Sequence, residues 1–156
     1  MRRARSLSVV GMLLAGALGV ISSTQTWIDV TLADGAQQTL AVPGSDAVPV
    51  LTPLSLAALA LGAALSIVGP VLRYVLGVIA LAIAGAVGVA TAVLLLTLPV
   101  SATAATVTKA TGISGTDAVA DLVASMALTP WPAVTLLAEL ILAAAAVFAL
   151  VTARRW

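Results

Sequence analysis

Residues 71–98 read VLRYVLGVIALAIAGAVGVATAVLLLTL, an almost uninterrupted apolar run in which Arg73 is the single charged residue. About 20 helical residues are needed to cross a bilayer core of about 30 Å. The run is longer than that, and it ends at Pro99, where a helix cannot readily continue. It therefore predicts a transmembrane helix and, with it, an integral membrane protein.

Three further windows have the length and the apolar composition of membrane spans, at residues 7–24, 53–69 and 131–153. Together with residues 71–98 they leave two longer connections and one short turn. We therefore expect one membrane domain, residues 1–156, that folds as an all-α bundle of four transmembrane helices.

The composition supports this fold class and excludes several others. Apolar residues make up 62% of the chain and charged residues only 8%, whereas soluble domains are about half apolar and a quarter charged. The net charge of +1 provides no basic surface for nucleic acid, so we expect no nucleic-acid partner. The chain has no cysteine and no histidine. We therefore predict no catalytic residue, no cofactor and no metal site, and we expect a protein that is not an enzyme.

The distribution of basic residues predicts the topology. Six of the seven lie where a four-span chain places them on one side of the membrane: Arg2, Arg3, Arg5, Arg73, Arg154 and Arg155. By the positive-inside rule both termini face the cytoplasm, and the protein lies in the cytoplasmic membrane. The first span follows a basic segment, but Val20-Ile21-Ser22 is a poor cleavage site, so we expect an uncleaved anchor.

The two outer loops, residues 25–52 and 99–130, carry signs of a small folded cap. Residues 27–32 alternate between apolar and polar, and Asp34-Gly35 then precedes a weaker alternating run, which is the pattern of a β-hairpin. In the second loop, apolar residues recur at helical spacing and predict a short amphipathic helix over residues 116–128. Either the two elements simply cover each other and the helix ends, which we favour, or they form a lid over a ligand.

Small residues recur every four positions in three of the predicted spans. They are Gly11, Ala15 and Gly19 in the first span, Ala58 and Gly62 in the second, and Ala80, Ala84, Gly88 and Ala92 in the third. This spacing lets helix backbones approach closely inside a membrane. The stripes serve either packing within the bundle, which we favour, or the binding of a partner's helix or of a second copy.

One ionisable residue, Glu139, interrupts the last span. It lies eight residues after Trp131, which corresponds to a depth of roughly 12 Å below the outer end of the helix. An ionised carboxylate at that depth costs several kcal/mol, so the group should be protonated, paired or exposed to water. Intramembrane ionisable residues are functional candidates by default, and we name Glu139 as one.

Several short motifs resemble those of the tryptophan-associated transmembrane proteins of actinobacteria. They are Ser23-x-x-x-Trp27, the segment after Pro53, Arg73 in the short turn, Thr129-Pro130-Trp131-Pro132 and the terminal Arg154-Arg155-Trp156. The resemblance implies an inner-membrane, four-span protein found alongside tryptophan biosynthesis genes, and it carries over no catalytic residue. The tryptophans would serve as interfacial anchors, and Trp27 is the second candidate functional residue because it begins the predicted hairpin.

Two functions remain from the sequence. The first is a non-enzymatic accessory protein that contacts the lipid bilayer and binds a membrane-protein partner or a second copy, as the many packing motifs suggest. The alternative is a small transporter or exporter of an aromatic metabolite such as tryptophan or indole, which Glu139 and the family resemblance suggest.

Overall fold

The computed structural model describes residues 2–33 and 38–152. Four apolar helices form the body of the protein: α1 (Arg2–Thr24), α3 (Leu51–Leu65), α4 (Pro70–Thr97) and α7 (Trp131–Thr152). The remaining elements form a cap at one end: β1 (Thr26–Leu32), β2 (Thr39–Pro43), α2 (Gly44–Ala47), a 3₁₀ turn (Val100–Thr103), α5 (Ala104–Thr111), α6 (Thr116–Leu122) and β3 (Val123–Leu128). The predicted features at residues 153–156 lie outside the described residues.

Local sequence explains where the longest helix begins and ends. Pro70 occupies the first turn of α4, where its missing N–H has no helical partner in any case. At the other end Leu98 adopts a left-handed conformation with φ of 39°, and its N–H bonds to the Leu94 carbonyl before Pro99 stops the helix. The prediction of a helix over residues 71–98 is confirmed to within one residue at each end.

Three helices within the described residues are long and apolar enough to cross a membrane: Arg5–Thr24, Pro70–Thr97 and Trp131–Thr152. The window predicted at residues 53–69 forms the shorter helix α3, whose 15 residues extend about 22 Å. The Ser66 and Ile67 amides bond three residues back, which tightens the end of α3 ahead of Gly69-Pro70. The fold therefore shows three spans of full length and one shorter apolar helix.

The four apolar helices pack in the order α3, α1, α7, α4. Helix α1 lies between α3 and α7, and α7 lies between α1 and α4, while α3 contacts α4 less extensively. Since α1 and α7 each pack along two neighbours, their small residues are used on two faces.

The cap contains a three-stranded antiparallel sheet in the order β2-β1-β3. The predicted hairpin of residues 27–32 with residues 38–42 is confirmed by the pairing of β1 with β2, while the Asp34-Gly35 turn between them lies outside the described residues. The prediction of one helix over residues 116–128 is wrong. The helix ends at Leu122, and Val123–Leu128 is β3, which pairs with the second edge of β1.

The fold is therefore mostly helical but not all-α, and a long-range contact is the physical reason. The spacing of Val119, Val123 and Met126 fits a helix when residues 116–128 are considered alone. However, β1 needs hydrogen-bond partners along both edges, and strand preference depends strongly on such tertiary context. In the folded chain β3 supplies those partners, for example Met126 opposite Val30.

Candidate functional site

An open groove runs between α4 and α7 on the outside of the bundle. Its volume is about 550 Å³. Helix α4 contributes the small residues Ala84, Gly85 and Gly88, and helix α7 contributes Glu139 and Leu140. We call this feature the α4–α7 groove. It brings the candidate residue Glu139 together with two of the four predicted small-residue positions on α4, Ala84 and Gly88.

Glu139 is the one carboxyl group among the residues that line the groove. Its side chain is only 6% exposed, and its Oε2 atom has no hydrogen-bond partner within residues 2–33 and 38–152. The hydroxyl of Thr91 on α4 is likewise buried and without a partner in the described part of the chain. Buried polar atoms normally have partners, so two such atoms on neighbouring helices require an explanation.

The register of α4 against α7 shows that these two groups lie at a similar depth. The helices run antiparallel, with Gly77 beside Leu150 and Gly88 beside Glu139. Thr91, one turn beyond Gly88, therefore lies at the level of Leu136. Helical side chains tilt toward the N-terminus of their own helix, so the Glu139 side chain extends toward that same level. The groove thus has one polar region in an otherwise apolar lining.

The glycines of the long helices divide into covered and open positions. A methyl group added at any of five of them would lie 3.1 Å or less from an atom of a neighbouring helix: Gly11, Gly16, Gly19, Gly62 and Gly77. At Gly85 the added group would meet nothing within 4 Å, and at Gly88 it would lie 3.9 Å from Glu139 Cβ. Most glycines are therefore used in packing within the chain, whereas Gly85 and Gly88 leave space in the α4–α7 groove.

The predicted small-residue stripes are placed in the same way. Four of the alanines are buried between helices: Ala15, Ala58, Ala80 and Ala84. Ala92 is only half-buried. Gly16 makes one of the closest approaches to a neighbouring helix. The four-residue repeat missed it because the repeat marks only one stripe of α1, which packs against helices on two sides.

Trp27, the other candidate residue, is fully buried in the cap. Its Nε1 donates to the Ser22 carbonyl oxygen at 2.9 Å and approaches Ser22 Oγ at 3.1 Å. Ser22 Oγ in turn lies 2.7 Å from Thr135 Oγ1 on α7. Trp27 therefore links β1 to α1 and, through Ser22, to α7, and it is not exposed to a ligand at the surface of the cap.

Two partners of Trp27 could not be identified from the sequence. A methyl group at Gly44 would lie 2.6 Å from Trp27 Nε1, so only glycine allows the indole ring to sit against the start of α2. Thr129 closes the other side, since its N–H donates to the Trp27 carbonyl and its hydroxyl donates to the Thr26 carbonyl. We call the set Ser22, Trp27, Gly44, Thr129 and Thr135 the tryptophan clamp.

A salt bridge ties the two halves of the cap together. Lys109 Nζ on α5 lies 3.0 Å from Asp46 Oδ2 on α2, and the Thr106 hydroxyl donates to the same oxygen. The hydrogen bond from Lys109 holds the pKa of Asp46 below its ordinary value, with a further contribution from Thr106. Because Lys109 is largely exposed, this pair contributes little to stability, at most about 1 kcal/mol.

The arrangement offers no metal-binding chemistry in the described ranges, where no three His, Cys, Asp or Glu side chains lie close enough to hold an ion. The α4–α7 groove instead offers an apolar surface of small residues and leucines with one carboxyl group, that of Glu139, in its lining. That combination suits the binding of a largely apolar partner that carries a single polar group.

Comparison with known proteins adds one finding. The sequence model of the tryptophan-associated transmembrane proteins matches residues 9–156, nearly the whole chain. Neither a curated protein nor a solved structure matches the chain significantly.

Proposed function

Because this chain belongs to the family of tryptophan-associated transmembrane proteins, we propose that it is a non-enzymatic accessory protein that binds another protein within the cytoplasmic membrane. Family membership and the long apolar helices make it a membrane protein. The family description names no activity, so the case for binding comes from the α4–α7 groove.

We further propose that α3 completes a fourth crossing, with both termini in the cytoplasm. The packing supports this, since α3 runs antiparallel along α1, with Gly62 beside Met12 and Ser55 beside Gly19. Because α3 packs along the membrane span α1, it lies at most of the same depths in the bilayer. Residues 66–69 then carry the chain further toward the side of the membrane on which α4 begins. The arginines then cluster on one side of the membrane, as the positive-inside rule requires.

This topology predicts a simple labelling result. The chain has no cysteine, so single cysteines introduced as Lys109→Cys and Gly69→Cys report on one site each. In intact cells a membrane-impermeant maleimide is expected to label the variant at position 109, and to label the variant at position 69 only after permeabilisation. Labelling of both variants in intact cells would contradict a crossing by α3.

One observation carries the binding proposal: the open glycines of the bundle coincide with its unpartnered carboxyl group. Gly85 and Gly88 expose backbone where the other helical glycines are covered, and Glu139 lies beside them. Transmembrane helices associate through small residues that allow close backbone approach and through polar groups that bond across the interface. The α4–α7 groove has both features on one surface, so we assign it as the binding surface for a partner helix.

Filling the groove is expected to release the partner without unfolding the bundle. We choose Gly88→Leu, because the added side chain enters the groove, and Ala86→Leu as the matched control, because Ala86 is exposed on α4 and does not line the groove. In affinity purification from native membranes in mild detergent, recovery of a stoichiometric partner should fall by about tenfold or more for Gly88→Leu and remain unchanged for Ala86→Leu.

Two outcomes would contradict the proposal. One is equal recovery of the partner with both variants, which would place the binding surface elsewhere. The other is a chain that purifies alone under all conditions and yet moves tryptophan or indole across proteoliposome membranes in a manner that Glu139→Gln abolishes. That second outcome would favour the transporter function.

A further inference from the structure

Glu139 is the one ionisable side chain that lines the α4–α7 groove. Glu139 Oε2 and Thr91 Oγ1 are both buried and both without partners in the part of the chain that the structure describes, although the helix register places them at a similar depth. Thr91 could serve as a neutral donor to the carboxyl group from the facing helix. The two groups do not bond to each other, and Thr91 is fully buried and does not line the groove, so the carboxyl group remains unpaired.

Within residues 2–33 and 38–152, no cation is placed to neutralise Glu139. Arg73 is in the first turn of α4, about four turns of helix from Gly88, and Lys109 is in the cap, paired with Asp46. Arg5 is at the start of the apolar part of α1, whose Gly11 lies beside Ala145 and whose Ser22 lies beside Thr135, so Arg5 is far from the level of Glu139. An ionised carboxylate inside a membrane is costly unless it meets an opposite charge, and the same holds for a lysine or arginine on another helix.

These observations point to the chemistry of the partner. We propose that the helix that occupies the α4–α7 groove carries a lysine or arginine at the depth of Glu139, and that the two charges pair when the helix binds. This inference rests on the proposed function, because it assumes that the occupant is a transmembrane helix.

The shape of the groove suits such a residue. Gly85 and Gly88 allow the partner backbone to come close, and Leu81 and Leu140 provide apolar contact for its other side chains. A long basic side chain can lie along apolar surface while its charged end reaches a polar group. Its charged end would then bond to the Glu139 carboxyl group. The attraction between the two charges would offset the cost of burying each of them, and binding would therefore be selective for a basic partner helix.

The test uses synthetic transmembrane helices in lipid nanodiscs with the full-length protein. Three Leu/Ala-based peptides are identical except for the central residue, which is Lys, Ser or Met, and binding is measured by energy transfer between labelled peptide and labelled protein. We expect the Lys peptide to bind at least about tenfold more tightly than the Met peptide. The isosteric, uncharged variant Glu139→Gln should abolish that preference, and Gly88→Leu should weaken binding of all three peptides.

The outcomes separate this inference from the proposed function. If the Ser peptide binds as tightly as the Lys peptide, or if Glu139→Gln retains the preference for Lys, the groove binds helices but the proposed charge pairing is wrong. If no peptide binds in a way that Gly88→Leu weakens, the proposed function itself fails. Circular dichroism should show that Glu139→Gln is folded, because the substitution replaces an unpaired buried carboxyl group by an amide of the same shape.

Discussion

Replacing Trp27 by alanine is expected to lower the free energy of unfolding of the cap by about 3–5 kcal/mol, the usual cost of emptying a large buried aromatic site. The indole ring is fully buried, and its Nε1 bonds to the Ser22 carbonyl. Removing it leaves a cavity against Gly44 and takes one of two hydrogen bonds from the Ser22 carbonyl, which still accepts from the Gln25 amide. The sheet should then separate from the helix ends.

Thiol labelling measures this effect directly. Val119 in α6 is buried inside the cap. A cysteine at this position replaces a side chain of similar size in a chain that has no other cysteine. In detergent, a water-soluble maleimide should react with Val119→Cys about 100-fold faster when Trp27→Ala is also present, which corresponds to about 3 kcal/mol at 1.4 kcal/mol for each factor of ten. An unchanged labelling rate would show that the tryptophan clamp does not hold the cap.

Two further variants separate packing from hydrogen bonding. Trp27→Phe keeps most of the ring but removes the Nε1 donor, so the lost hydrogen bond should cost about 0.5–1.5 kcal/mol. Trp131→Phe is the matched control, since Trp131 is only half-buried at the start of α7. If the two phenylalanine variants lowered the free energy of unfolding by the same amount, the hydrogen bond from Trp27 to Ser22 would not contribute measurably to the stability of the cap.

Replacing Gly16 by alanine is expected to weaken the contact between α1 and α3. The added methyl group would lie 2.9 Å from the Leu59 backbone nitrogen and 3.0 Å from the Ser55 carbonyl oxygen. Both are backbone atoms, so the helices themselves must separate. Overpacking of this kind costs typically about 1–3 kcal/mol.

Gly85→Ala is the control for the same chemical change on a helix of the same bundle. The added group meets nothing within 4 Å, and alanine favours a helix over glycine by about 1 kcal/mol in soluble hosts. Thermal unfolding in one detergent should therefore show a lower midpoint for Gly16→Ala and an unchanged or higher midpoint for Gly85→Ala. Equal midpoints would mean that the close approach at Gly16 contributes nothing to stability.

The sequence was most informative where a local pattern alone decides the structure. The apolar run at residues 71–98 has no stable alternative to a membrane helix, and the alternating residues 27–32 have few alternatives to a strand. The sequence was misleading at residues 116–128, where a helical spacing of apolar residues competed with pairing to β1. It was also incomplete at residues 53–69, where the bonds that tighten the chain after Leu65 shorten the helix.

The candidate residues show the same division. Glu139 could be identified from the sequence because a carboxyl group in an apolar run is costly wherever it points. Its position beside Gly88 in the α4–α7 groove depended on the register of α4 against α7, which the sequence does not show. The interior position of Trp27 depended on Gly44 and Thr135, which are distant in the sequence and carry no motif of their own.

The sequence by itself determined that this chain is a small, mostly helical membrane protein, because hydropathy acts on each segment separately. The tertiary structure decided which small residues are used within the bundle and which remain open. That choice depends on which helix faces lie together, and every face of small residues satisfies the same local pattern. In the observed packing order, α3, α1, α7, α4, the glycines Gly85 and Gly88 remain uncovered beside Glu139.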